Sequence, residues 1–218
     1  MNARPPVAPP RSLVSQCGMV LLVCLVFLTA LTLLGLSSAS DTVLQKKLAA
    51  NNHAAGQARQ SAFATLAWAE NWLLSQQGTA PETCTESCAG LHLHSPGNLP
   101  SHPEYEDLSW WMAQGHEAGI DPHSGDSIAL VSAGSHDKPV WIVESVHNQP
   151  VAQDGSTDLQ VWYRILARGS GRTSHSIAVL ESILVRSWPQ ADEGEYSTNC
   201  PGAGPAAKCG RVAWRELR

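Results

Sequence analysis

Along the chain the spacing of apolar positions changes twice, and each change predicts a different element. From Ser12 to Ser40 no residue is charged, and within that stretch Met19 to Leu36 is 18 residues of almost unbroken hydrocarbon. At about 1.5 Å of rise per residue, a helix of that length reaches roughly 27 Å, close to the hydrocarbon thickness of a bilayer. From Asp41 onward apolar residues recur three and four apart: Val43, Leu44, Leu48, Ala55, Ala58, Ala62, Phe63, Leu66, Ala69 and Leu73. That spacing is one face of an amphipathic helix. Polar Gln45, Lys46, Asn52, Gln57, Arg59, Gln60 and Glu70 are assigned to its other faces, and Gly78 followed by Pro81 is the stop. One helix over 19–77 is predicted, with residues 19–40 in lipid and 41–77 packed on a head domain. The rival is two helices broken near Gly35 or Gly56, although a helical glycine costs only about 1 kcal/mol.

After Gly78 the composition turns to proline, glycine, serine and histidine. Residues 79–126 therefore predict a loop-rich insertion, with a short helix near 105–114 whose Trp110-Trp111 pair covers the core. Then the period becomes two. Residues 127–133, 139–147, 159–169 and 176–188 alternate and are rich in Val, Ile, Trp and Tyr, which predicts four strands. Asp154-Gly155 and Gly169-Ser170-Gly171 read as turns, and a fifth strand is predicted at 211–217. Short connections imply an antiparallel meander with one face free to receive the helix. The fold class expected is α+β, a long N-terminal helix on a four- or five-stranded antiparallel sheet.

Composition narrows the function. Fourteen Lys and Arg against 19 Asp and Glu give a net charge of −5, so nucleic acid is not an expected partner, since its binders present a basic face. With 43% apolar and 15% charged residues, the chain is not disordered. Nucleophile elbows, Walker loops, His-Glu-x-x-His motifs and dinucleotide fingerprints are absent from it. No enzyme and no cofactor is expected.

Residues 1–18 carry Arg4, Arg11 and four prolines, while Asp41 follows the apolar run. The positive-inside rule then leaves the N-terminus cytoplasmic and exports residues 41–218. Three readings compete for this segment. Ser38-Ala39-Ser40 offers small residues for a secretory signal peptidase, but the apolar run exceeds the usual 7–15 residues of such a signal. A lipoprotein signal needs a small residue before the modified cysteine, and Gln16 and Val23 precede Cys17 and Cys24. The third reading cuts after Gly18 on the cytoplasmic side and keeps the apolar helix, which is the pattern of a type IV prepilin.

The residues QCGMVLLVCLVFLTALTLLGLSSAS and TVLQKKLAANNHAAGQARQSAFATLAWAENWL, with PVWIVESV and VWYRILARGSGRTSHSIAVLESILVRSW further on, resemble the minor type IV pilins of the PilX type over most of residues 15–190. The resemblance implies a leader over 1–18, cleavage at Gly18, N-methylation of Met19, a transmembrane half over 19–40, an amphipathic half over 41–77 and a periplasmic head over 78–218. It also implies an inner-membrane location with the subunit later in a surface pilus. The implied partners are prepilin peptidase, other minor and major pilins, the inner-membrane assembly platform, and membrane lipid before assembly. Pilins generally carry glutamate at the fifth mature position; here that position is Val23, as in subunits held to sit at the fibre tip, which implies a priming or tip-proximal role.

Cys17 and Cys24 lie in the leader and the apolar run. The four exported cysteines permit three disulfide pairings, of which the local one, Cys84–Cys88 with Cys200–Cys209, is preferred. The resemblance adds weight to a C-terminal disulfide loop. Cys84, Cys88, His92 and His94 also have zinc-ligand spacing. That keeps open the alternative of a membrane-anchored periplasmic binding protein, although an exported compartment favours paired thiols. Asp121 to Asp126 has oxygen ligands but lacks calcium-loop spacing, and a polar turn is the better reading.

Overall fold

A computed structural model describes residues 19–84, 93–122, 124–127, 135–153, 156–189 and 210–218. The chain divides into two compact units, the second running over Ala50–Arg218. Helix α1, Met19–Ser75, contributes to both, so Gly35 and Gly56 do not break it, and it ends two residues short of the predicted 77.

In the first unit α1 is uncovered. None of its described side chains up to Ala49 is buried, and it is the one helix among the described residues long and apolar enough to cross a bilayer. Its hydroxyls turn back onto the helix: Thr29 Oγ1 donates to Val26 O and Thr32 Oγ1 to Thr29 O, both at 2.8 Å. Local bonding of this kind satisfies these two hydroxyls within the helix, as hydrocarbon requires.

The second unit is a helix–sheet–loop sandwich. Strands β1 (Leu93–His94), β2 (His116–Glu117), β3 (Val140–Gln153), β4 (Ser156–Ser170), β5 (Ile177–Pro189) and β6 (Gly210–Glu216) form one sheet in the order β1-β3-β4-β5-β6, with β2 also on β3. β3 to β6 are the antiparallel meander the alternation predicts. The purely antiparallel expectation is corrected by β1, which runs parallel to β3 at Leu93–Val143. Two residues are too few to carry a period, so neither β1 nor β2 is visible in the sequence pattern. Of the strand predicted at 127–133, Ser127 bridges to Ile120, and 128–134 lie outside the described residues.

Alternation along the strands sorts side chains onto two cores. Trp141, Val143, Tyr163, Ile165, Ala167, Ala178, Leu180 and Leu184 face α1 and meet Ala58, Ala62, Leu66, Ala69, Trp72 and Leu73. Val140, Ile142, Leu166 and Val179 face the other way, toward Leu99 and Trp111. Trp111 belongs to helix α2 (Leu108–Gln114), capped by Asp107, whose Oδ1 accepts the Trp110 N–H at 2.8 Å. Trp111 is fully buried and Trp110 packs beside it at 5.7 Å, so this pair covers core as expected.

The helix approaches β4 more closely than any side chain would allow. A Cβ on Gly169 would overlap the Ala62 backbone nitrogen and lie 2.7 Å from Ala58 O, and one on Gly171 would overlap Ala54 O. Neither glycine has a positive φ. Gly171 opens the turn into β5 by donating to Ser176 O at 2.7 Å, but the turn reading of Gly169 is corrected: it lies inside β4 and is glycine because α1 touches the strand there. Gly169→Ala is therefore expected to destabilise the fold by about 1–3 kcal/mol through overpacking. Gly56→Ala, with open space around it, is expected to stabilise it by up to about 1 kcal/mol. Urea unfolding of the full chain in detergent, followed by tryptophan fluorescence, checks both signs.

Candidate functional site

Polar side chains hold α1 against the sheet where apolar packing ends. Glu70, assigned from sequence to an outer face, is instead buried: Ser182 Oγ donates to its Oε1 at 2.7 Å and Arg211 Nε donates to the same oxygen at 2.8 Å, with Arg211 Nη2 on Oε2. The bond to Glu70 raises the Arg211 pKa. Arg186 of β5 sends its two Nη groups to the carbonyls of Leu73 and Gln76. Those acceptors belong to the last turn of α1 and its exit, where orphan carbonyls need donors and the helix dipole favours a cation. The guanidinium also stacks 3.7 Å over Trp188, and burial lowers its pKa. Sequence periodicity cannot distinguish these residues from solvated charges; the one signal was that 182 and 186 share strand parity with the core residues 180, 184 and 188.

On the opposite face Arg164 Nε donates to Glu181 Oε2 at 2.7 Å and Arg215 Nε to Glu181 Oε1 at 2.8 Å. Arg164 Nη1 also reaches Glu144, which accepts the Gly97 N–H at 2.7 Å. Burial works against ionisation of Glu181, but the bonds from Arg215 and Arg164 outweigh it and hold its pKa below the ordinary value.

Of the residues singled out by sequence, Met19 and Val23 lie exposed on the apolar part of α1, and Gly18 lies outside the described residues. Cys84 is disulfide-bonded; Cys88, Cys200 and Cys209 lie outside the described residues, so its partner is unassigned. A sulfur held in a disulfide has no thiolate to offer zinc. His92 lies outside the described residues, while His94 is buried with Nε2 2.8 Å from Gln114 O. The 121–126 segment closes as a turn: Asp121 Oδ1 accepts the Ser124 N–H at 3.1 Å, Asp121 O accepts from Gly125 N at 2.9 Å, and Gly125 takes φ of 74°.

A helix that is bare hydrocarbon at one end and built into a helix-on-sheet head at the other defines a membrane-anchored subunit of pilin-like architecture. The family model for type IV pilus assembly protein PilX, C-terminal part, matches residues 46–186, and the chain belongs to that family. Comparisons with curated proteins and with solved structures give no match. The family match begins within α1 and ends in β5, so the apolar stretch before residue 46 is interpreted from its own residues.

Glu181 supplies a pH dependence. Its pKa is lower in the folded chain, so its contribution to stability is complete above its ordinary value of 4.5 and is lost as pH falls through the lower folded value. Glu181→Gln is expected to lower stability at neutral pH and to flatten the acid limb of the stability profile, measured by thermal unfolding between pH 7 and pH 3.

Proposed function

We propose that this chain is a minor pilin that primes a type IV pilus or sits near its tip. The observation that carries the reading is the uncovered apolar run over 19–36 in the same helix whose residues 54–73 are built into the head. Prepilin peptidase cuts after Gly18, Met19 becomes the methylated N-terminus, and the apolar run holds the subunit in the inner membrane with the head in the periplasm. Entry into a bundle of other pilins exchanges lipid for protein contact over the same hydrocarbon, with little change in hydrophobic free energy. Val23 fits a subunit with no neighbour above it, because a carboxylate there would need a partner amine or would stand unpaired in hydrocarbon at a cost of about 2.5–3.5 kcal/mol. The pairings Cys84–Cys88 and Cys200–Cys209 belong to this proposal and are testable by peptide mapping under non-reducing conditions.

Mass spectrometry of the mature protein from membranes is expected to find methylated Met19. An intact Met1 would mean an anchored periplasmic binding protein, and Asp41 at the N-terminus a secreted one; either overturns the pilin reading. Gly18→Ala is expected to leave the leader attached and to reduce surface pili in a shear assay. Val23→Glu, processed normally, is expected to reduce pili as well; full piliation by that variant argues against the tip position.

A further inference from the structure

The outer edge of β6 ends the sheet, and among the described residues no strand pairs with it. Its side chains lie largely in solvent: Trp214 is 52% exposed and meets exposed Phe63 of α1 at 5.2 Å, edge to face. Among the described residues its outer main chain is equally unpaired. Leu217 N donates to Val179 O at 2.8 Å, and antiparallel alternation from that pair turns the N–H and C=O of Glu216 and Trp214 away from β5. We propose that this edge takes an extended, acid-bearing segment of a different protein as an added strand.

The occupant follows from three features. Outward N–H and C=O groups two residues apart match another extended backbone, and the Phe63–Trp214 pair offers apolar surface on one side of such a strand. On the side away from α1 the exposed charge is positive, the Arg215 side chain being 66% exposed while its partner Glu181 is 9%; on the α1 side exposed Glu216 is paired with Arg59. An incoming strand therefore places apolar residues on the side of Trp214 and acids on the side of Arg215. A second copy is a poor fit. Two-fold pairing of β6 with β6 runs the packed segments of α1 in opposite directions, whereas copies held in one membrane present α1 the same way. The other long edge, β3, is occupied at Val140, Trp141, Val143 and Glu144 by β1 and β2, and Pro150 interrupts the remainder. This exclusion of a second copy rests on the membrane reading; the edge itself does not.

The test uses the full chain in detergent micelles and two capped eight-residue peptides, one alternating valine with glutamate and its twin alternating valine with lysine. The acidic peptide is expected to slow amide exchange at Trp214 and Glu216 and to bind at least tenfold more tightly than the basic one at low salt. Glu216→Ala and Glu216→Pro both lose the exposed contact to Arg59, but only proline removes the outward N–H, at a position where an edge strand tolerates it. The alanine variant is expected to bind within twofold of the parent and the proline variant at least tenfold more weakly. Equal affinity for the two peptides, unchanged exchange at Trp214 and Glu216, or equal binding by the two variants overturns the proposal. Dimers that protect the same amides without peptide assign the edge to a second copy and also overturn it. Failure of Gly18 processing would sink the pilin reading while leaving this result untouched.

Discussion

The second unit depends on one close approach, that of α1 to β4. At Gly169 in the strand and Gly171 just past its end there is no Cβ, and Ala54, Ala58 and Ala62 on the helix are small enough to bring backbone onto backbone. Further along the same helix face Trp72 lies against Trp141 at 5.2 Å, and Ser182 bonds Glu70. Interiors pack at crystal-like density, so an added methyl group in that contact has no free space to enter.

The polar contacts then fix register along the seam. Arg59, Phe63 and Glu70 on α1 meet Glu216, Trp214 and Arg211 on β6, so that strand and helix run past one another in opposite directions. Arg186 closes the far end by occupying carbonyls that the helix cannot satisfy itself.

The opposite face of the sheet shows the complementary solution. There the cover is not a long helix but α2 and the segments around it, with Trp111 as the buried plug. The sheet is consequently apolar on both sides over its middle. Both parities of β3 and β4 therefore carry buried apolar residues, one set toward α1 and the other toward Trp111.

The sequence by itself determined the elements and their order. The bare span, the helix that continues from it, β3 to β6 and the short helix around Trp110-Trp111 all follow from period and composition, because those signals are local and repeat over many residues. It also pointed to the family, through the apolar helix and the strands that follow. Tertiary structure decided what depends on distant partners: that Glu70 is buried and bonded, that Gly169 is a contact and not a turn, that β1 enters parallel, and that β6 ends the sheet among the described residues. Each of these is a property of two segments that meet only after the chain has folded, Glu70 and Ser182 standing 112 positions apart, and no pattern along one segment can encode it.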